Sequence, residues 1–540
     1  GLIDDYKQVD GKPLGEKNPK WLQDDYVKFI RFAQWKIEQA GSGVVGVITN
    51  HSYLDNPTFR GMRQSLMKTF DEIRILDLHG NSLKKETSPD GSPDQNVFDI
   101  RQGVAIAFFL KRGNGKEAVV MQSDLRGTRE AKYIWLESHD LGNTEWVSLV
   151  PSSPSYLFVP HNDLLDEAYR RFPSLPEIFP LNSVGIVTAR DALTIQPTAE
   201  KAWQTVGTFS RMEPELAREG YRLGKDARDW KVDLAQKDLL DSGPNRKNIV
   251  PILYRPFDIR YTYYTGRSRG FICMPRPEVM KNMLGGENLG IVTCRQLANA
   301  GWFHAFVSNK ICDDCLVSNR TRERGYLFPL YIYAEENPSD IFSSGDLLER
   351  KSNLSPALMT TLTGAFGRQP SPVEVFGYVY AILYAPAYRE KYEELLKMNF
   401  PRVPFTGNVG LFAKLAGLGS RLAALHLLSS PELDTPSCRF EGEGNGLIEK
   451  WRDDGLRYEE EQERLYINEN QHFSPVPVPV WKYRIGGYQI CSKWLKDRIG
   501  TRMELDAIRT YCRIVTALGK TIDIQGEIDA LYPEAERTAI

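Results

Sequence analysis

Three short apolar runs, largely β-branched, dominate the first hundred positions: 44–49 (VVGVIT), 73–78 (IRILDL) and 104–110 (VAIAFFL). The continuously apolar, β-branched run 44–49 predicts a strand buried on both faces, as in sheets covered by helices on each side, and 73–78 and 104–110 predict a second and a third strand. The intervening segments supply such helices. From 25 to 40, apolar or aromatic residues recur at Tyr26, Phe29, Ile30, Ala33 and Ile37, a helical period. Gly41-Ser42-Gly43 stops that helix, because glycine enters the left-handed conformation cheaply. A second helix is predicted from about Pro57, a favoured first-turn residue, to Phe70. Helix, strand, helix, strand, polar loop, strand is the order of the second half of a doubly wound α/β sheet. All three strands should share one sheet, the last antiparallel to its neighbours, since the loop from Leu78 to Val104 returns like a hairpin. Nucleotides bind such sheets at glycine-rich turns after the early strands. No strand–glycine–helix unit opens this sequence, so the chain is expected to begin in the middle of a domain.

At 540 residues the chain is too long for one hydrophobic core. Beyond 113 the pattern becomes mixed α+β. Residues 182–190 (NSVGIVTAR) are echoed at 288–295 (NLGIVTCR), either a duplicated half-domain or a recurring strand pattern. Residues 251–335 read as several strands, and 371–400 as a helix pair broken at Pro386. Residues 400–480 read as loop-rich, with PVPVPVW from Pro475 extended, and 486–530 as amphipathic helix.

Net charge is −2, but its distribution is uneven. Residues 251–300 carry seven Lys/Arg against three Asp/Glu, and 481–515 carry eight against three. Residues 441–463 are acidic. Basic segments within a neutral protein suit a nucleic-acid groove, and they equally suit solvated helix faces. No apolar run is long enough to cross a bilayer, and the N-terminus, GLIDDYK, is not a signal peptide. Seven cysteines form no disulfide framework, so the expected compartment is the cytoplasm.

Residues 15–112 contain EKNPKWLQDDYVKFIRFAQWKIE, GVVGVITNHSYLDNPTFRGMRQSLM and NVFDIRQGVAIAFFLKR. These resemble the later motifs of gamma-class N6-adenine DNA methyltransferases. Downstream, VPILYRPFDIRYTYYTGRSRGFICMPRPEVM, FGYVYAILYAPAYREKYEELLKMNFPRVPF and VWKYRIGGYQICSKWLKDRIG resemble the C-terminal specificity region of type ISP restriction–modification enzymes. The resemblance covers most of the chain and is weakest at 113–180 and 405–450. It implies the second half of a Rossmann-like methyltransferase sheet followed by a mixed α+β target recognition region. Residues 1–112 would end the catalytic domain, 113–245 would connect and begin the recognition domain, and 246–540 would form the DNA target recognition domain. The implied partner is double-stranded DNA. The implied cofactor is S-adenosylmethionine, bound mainly by an N-terminal part with an Asn-Pro-Pro-Tyr motif that this sequence lacks. In restriction enzymes of this type a helicase and nuclease also lie upstream. The chain alone is therefore expected not to methylate DNA. Two other readings stay open: a stand-alone, non-catalytic DNA-binding specificity protein, and an interaction scaffold that kept the old fold.

The resemblance makes Phe98 the residue that stacks on the flipped adenine, since an enzyme acting on a base must hold it out of the stack between apolar faces. The other reading is a core phenylalanine at a loop end. Thr49-Asn50-His51 ends the first strand, where such sheets place ligands; His51 reads as a loop histidine with a satisfied hydrogen bond, or else as a general base. Asn18-Pro19-Lys20-Trp21 does not replace the missing motif, because it follows no buried strand. Arg190, Arg267, Arg269, Arg295 and Gln296 are candidates for base contacts, since Arg pairs twice with guanine and Gln twice with adenine. Lys493, Lys496 and Arg498 are candidates for phosphates. Each is also an ordinary surface polar residue. Cys312-Asp313-Asp314-Cys315 has half the spacing of a zinc site, but Cys294 and His304 complete no familiar pattern, and no metal is expected.

Overall fold

The computed structural model describes residues 1–15, 20–82, 86–88, 90, 92–113, 118–160, 163–297, 301–320, 323–334, 350–451 and 456–540. Asn18 and Pro19 of the sequence segment considered above lie outside the described residues. The chain divides into two compact units, Gly1–Ala168 and Tyr169–Leu297 with Gly301–Ile540.

In the first unit, α1 (Asp25–Ala40) ends at Gly41, which takes φ 78° and donates its N–H to Ile37 O. Next come β1 (Gly43–Asn50), α2 (Arg60–Thr69), β2 (Glu72–Asp77) and β3 (Val104–Lys111). β4 (Val119–Asp124), α3 (Arg129–Ser138) and β5 (Val147–Leu149) follow. The strands form one sheet in the order β1-β3-β2-β4-β5. β3 sits between β1 and β2 and runs antiparallel to both, as the hairpin-like loop requires. β1 and β2 are consequently parallel to each other and are joined across α2.

The sheet does not stop at residue 112. β4 pairs parallel with β2, and β5 antiparallel with β4. β4 reads VVMQSD, with polar residues in its second half, so it lacks the continuous apolar signal of the others. On one face Ile73, Ile75, Ala105, Ala107, Phe109 and Val120 pack with Phe59, Met62 and Leu66. On the other, Leu76, Val97 and Val104 pack with Trp135 and Leu136 of α3. The second face of β2 and β3 is partly covered, with Arg74, Ile106, Phe108 and Leu110 half-buried. The burial on both faces expected of β1 fails, since Val44 is 63% and Ile48 54% exposed. β1 is an edge strand, and among the described residues no strand pairs with its outer side.

The second unit contains several small sheets and a helical layer. Ile249–Arg255 and Asp258–Tyr263 form a hairpin, to which Ile311–Cys312 adds in parallel. Ser183–Val184 and Gly290–Cys294 flank Gly325–Pro329 on its two edges, both antiparallel, which brings the two echoed sequence segments into one sheet. The expected helix pair is three helices: Pro372–Tyr384, Pro386–Lys391 and Glu393–Met398.

Residues 400–480 are less loop-rich than their sequence reads, because Val409–His426 is an 18-residue helix. Its glycines disguise it. A Cβ on Gly419 would stand 1.8 Å from Gly377 O, and one on Gly377 would stand 2.4 Å from Ala416 O. Glycine here is the condition for two helix backbones to touch rather than a break in either helix. The PVPVPVW segment also departs from expectation: only 475–477 stays extended, and Val478–Lys482 turns helical because a proline at the first helical turn is tolerated. The last helix, Leu505–Arg537, is 33 residues long. Among the described residues no helix is long and apolar enough to cross a membrane.

Pro372–Tyr384 starts with a capping box: Ser371 Oγ accepts from Glu374 N at 3.2 Å, and Glu374 Oε2 accepts from Ser371 N at 2.7 Å. Ser371→Ala should lower stability by about 1 kcal/mol. The urea midpoint checks this, and an unchanged midpoint would refute the cap's contribution.

Candidate functional site

The parallel strands β1 and β2 end together with the start of β3, since Asn50 pairs with Val104 and Asp77 with Ala105. Two polar segments emerge there. After β1, Asn50 Oδ1 accepts from Ser52 N at 2.8 Å, a tight turn that sends His51 inward. After β2, His79 takes φ 50° and donates its N–H to Asp77 Oδ1 at 2.9 Å. The result is a buried cluster. His51 Nδ1 lies 2.9 Å from Asp77 Oδ1, and His79 Nε2 lies 2.6 Å from Asp124 Oδ1 at the end of β4. Burial would raise the Asp77 carboxyl, but the two imidazoles and the His79 backbone N–H outweigh it and hold it down to about 2. Gly103 closes the cluster, because a Cβ there would stand 2.4 Å from the His51 ring. His51 is thus a fully packed histidine with a bonded Nδ1, as its loop reading expects.

The loop that connects β2 to β3 carries Phe98. The ring is 44% exposed, so it is no core phenylalanine, and the neighbouring Val97 fills that place. The loop is pinned beneath it. Asn96 Nδ2 donates to Gly80 O at 3.1 Å and to Gln102 O at 2.6 Å. Arg129 of α3 donates to Asn96 O at 2.7 Å and to Phe98 O at 3.0 Å. Lys132 Nζ donates to Leu78 O at 2.7 Å, Asp94 Oδ2 at 2.9 Å and Gln95 O at 2.6 Å. An exposed aromatic residue whose backbone is held by hydrogen bonds, at the carboxyl end of parallel strands, can meet a flat apolar ligand face. Sequence reasoning reached Phe98 and His51 but not Asp77, His79, Asp94 or Lys132. The signal for the first two of these was a charged residue closing an apolar run (IRILD) and a histidine two positions on.

In the second unit the basic candidates fall into two groups. Arg190 and Arg498 are committed within the protein. Arg190 donates to Ala189 O at 2.8 Å and Lys225 O at 2.9 Å and lies over the Trp230 ring. Arg498 pairs with buried Asp258 at 2.5 Å and stacks 3.6 Å over Trp494. Lys493 is half-buried and pairs with Asp497 at 2.6 Å. Arg267, Arg269, Arg295, Gln296 and Lys496 are exposed. Arg267 pairs with Asp241 at 2.6 Å and Arg269 with Asp229 at 3.0 Å, both at the surface. Arg295 reaches Asn399 at 3.2 Å. Surface pairs of this kind are worth little and are readily exchanged for a phosphate or a base edge.

The Cys312–Cys315 turn spends its acids on arginines. Asp313 pairs with Arg255 at 2.7 Å, and Asp314 with Arg324. Burial raises the Asp313 carboxyl to about 7, against the pull of Arg255. Cys294 donates its thiol to Glu323 O at 3.3 Å, and His304 Nε2 lies 3.8 Å from the Glu323 carboxylate.

A family model described as the Type ISP C-terminal specificity domain matches residues 177–526. No curated protein matches the chain in sequence. Three solved structures are similar. One is a cryo-EM structure of a DrdV–DNA complex, with 23% identity and TM-score 0.69, covering 97% of this chain and 54% of that one. Another is the ATP-dependent Type ISP restriction–modification enzyme LlaBIII bound to DNA, with 20% identity and TM-score 0.71, covering 98% and 35%. The third is a nuclease-deletion mutant of the Type ISP restriction–modification enzyme LlaGI with a DNA substrate mimic, with 19% identity and TM-score 0.68, covering 97% and 42%. At these identities the likeness is one of fold, and the chain spans about half or less of each solved protein.

Proposed function

The chain belongs to the family of the Type ISP C-terminal specificity domain, and on that premise we propose that it reads the DNA target for an adenine-specific DNA methyltransferase of the restriction–modification type. The observation that carries the reading is the position of the family match: residues 177–526 fall within the second unit, where the exposed candidates Arg267, Arg269, Arg295, Gln296 and Lys496 reside. In this reading Lys496 and the exposed arginines set register on phosphates, while Arg and Gln side chains that reach base edges supply the sequence preference. The similar structures of DrdV, LlaBIII and LlaGI, each with DNA or a DNA substrate mimic, support double-stranded DNA as the partner.

The first unit would complete the catalytic domain. Its support is the strand order β1-β3-β2, with β3 antiparallel between parallel neighbours, at the carboxyl end of which Phe98 is exposed. This order supports reading the sheet as the second half of a Rossmann-like methyltransferase sheet, which further strands would continue at the open edge of β1. S-adenosylmethionine would supply the methyl group of such an enzyme. The strand-to-helix turns among the described residues of this unit carry at most one glycine, Gly127 after β4. That is a poor cradle for a nucleotide, so the residues described in this unit do not by themselves fit the cofactor.

The test is an exchange. In the complete enzyme, replacing residues 177–526 with the matching segment of a relative should transfer the relative's methylation sequence, read by sequencing modified DNA. Specificity that stays with residues 1–112 would overturn the reading.

A further inference from the structure

We propose that the carboxyl end of the first unit's sheet is a binding site for one divalent transition-metal ion of the zinc class, with His79 Nδ1, Asp77 Oδ2 and Glu86 Oε1 as ligands and His51 Nδ1 beside them. The argument starts from the tautomer of His79. Its Nε2 lies 2.6 Å from Asp124 Oδ1, which accepts the proton there. A neutral His79 then turns the Nδ1 lone pair toward two carboxylates, Asp77 Oδ2 at 3.7 Å and Glu86 Oε1 at 3.9 Å. Both distances are too long for hydrogen bonds. They approach the separation of about 3.4 Å between ligands that share a tetrahedral ion at ~2.1 Å.

The surroundings are those of a ligand set. His51, Asp77 and His79 bring their donor atoms within 4.8 Å of one another. The side chains of all three and of Glu86 are largely withdrawn from solvent. The outer hydrogen bonds are also in place. Asp124 holds the far nitrogen of His79, the carboxylate–histidine arrangement that fixes metal-ligating imidazoles. Glu86 Oε2 accepts from Asn81 N at 2.7 Å, which leaves Oε1 directed to the site. His79 holds φ 50°, a backbone conformation that few non-glycine residues adopt, and so turns its ring inward between the two acids. Mixed imidazole and carboxylate donors select first-row divalent ions over calcium or magnesium.

With neutral imidazoles the largely buried carboxylates Asp77 and Glu86 leave a negative excess that a divalent ion offsets. The competing arrangement is a protonated His79 serving as the cation. Burial opposes that state, whereas the bond to Asp124 and the nearby Asp77 and Glu86 carboxylates favour it. The bound ion would tie the end of β2 to the loop that carries Phe98, a structural role distinct from methyl transfer.

Cobalt separates the two states. The purified chain, stripped with chelator, should bind one equivalent of Co²⁺ with the visible bands of a low-coordinate site, and Zn²⁺ should displace it. His79→Ala should abolish the spectrum, and Asp124→Asn should weaken binding by roughly 10–100-fold. Cys315→Ser, in the second unit, should leave the spectrum unchanged. If His79→Ala does not fold, Glu86→Gln, which keeps the side-chain shape, decides in its place. An absence of stoichiometric binding by the folded wild-type chain, or binding that survives both His79→Ala and Glu86→Gln, would overturn the proposal in favour of a protonated His79.

Discussion

Lys132→Met is expected to destabilise the first unit by about 3–5 kcal/mol, the cost of leaving one member of a buried ion pair alone. Lys132 and Asp94 are both 0% exposed in their side chains. The ammonium donates to Asp94 Oδ2 and to the carbonyls of Leu78 and Gln95. Those three acceptors belong to the end of β2 and the far side of the loop that carries Phe98. Methionine fills much the same volume, so a packing defect is a small part of the change. What remains is a buried carboxylate held only by the N–H groups of Gly80 and Gly127, each at 2.6 Å, and two carbonyls without their donor. The same pair is weak evidence for net stability, since an apolar replacement of both partners can be neutral. Its use here is positional, because it fixes a loop whose described residues are mostly polar. Urea denaturation of the chain measures the change. A loss below about 1 kcal/mol would mean that the carboxylate is protonated or re-solvated once the lysine is gone, and that the loop does not depend on it.

How far the fold and the site were legible follows from what each signal physically requires. β2 and β3 were readable as strands because their apolar residues pack against Met62 and Leu66 of α2, although Arg74 and Asp77 interrupt IRILDL. β1 is the more continuously apolar run yet stands at an edge with Val44 and Ile48 exposed, so composition alone did not separate an edge strand from a covered one. The helix Val409–His426 was hidden by the glycines that let it touch Pro372–Tyr384, since glycine is both a helix breaker in isolation and a spacer between packed helices. The basic candidates were legible only as charges. Arg190 and Arg498 turn out to be held by a tryptophan ring and by internal carbonyl or carboxylate groups, whereas Arg267 and Lys496 remain at the surface. Which arginine is spent inside is decided by partners far along the chain, such as Asp258 for Arg498, and no local pattern records that. Asp77, His79, Glu86 and Asp124 likewise meet only when two strand ends and a loop converge.

In the complete enzyme Phe98→Ala is expected to lower methylation turnover by about 5–150-fold, the equivalent of roughly 1–3 kcal/mol lost from one base–aromatic stack. The melting temperature should stay where it is. The two readings of this residue differ in kind: a core phenylalanine cut to alanine would cost about 3–5 kcal/mol of stability. The 44% exposure of the ring places it outside the core already. Exposure does not by itself assign a function, and Ile100, a residue of the same loop, is 47% exposed. What distinguishes Phe98 is that its own backbone is bound on both sides. Its N–H donates to Asn96 Oδ1 at 2.8 Å, and its carbonyl accepts from Arg129 at 3.0 Å. A ring carried on fixed backbone loses little freedom when a base stacks on it, whereas a ring on a loose loop would lose much of the gain to ordering. Tyrosine or tryptophan at the position should retain most of the turnover, because any aromatic face can stack. Val97→Ala supplies the opposite control, since Val97 is buried and its loss should lower stability first. Turnover unchanged in Phe98→Ala, or equal losses in the alanine and tyrosine variants, would remove stacking as the role of this ring and leave the family assignment of residues 177–526 intact.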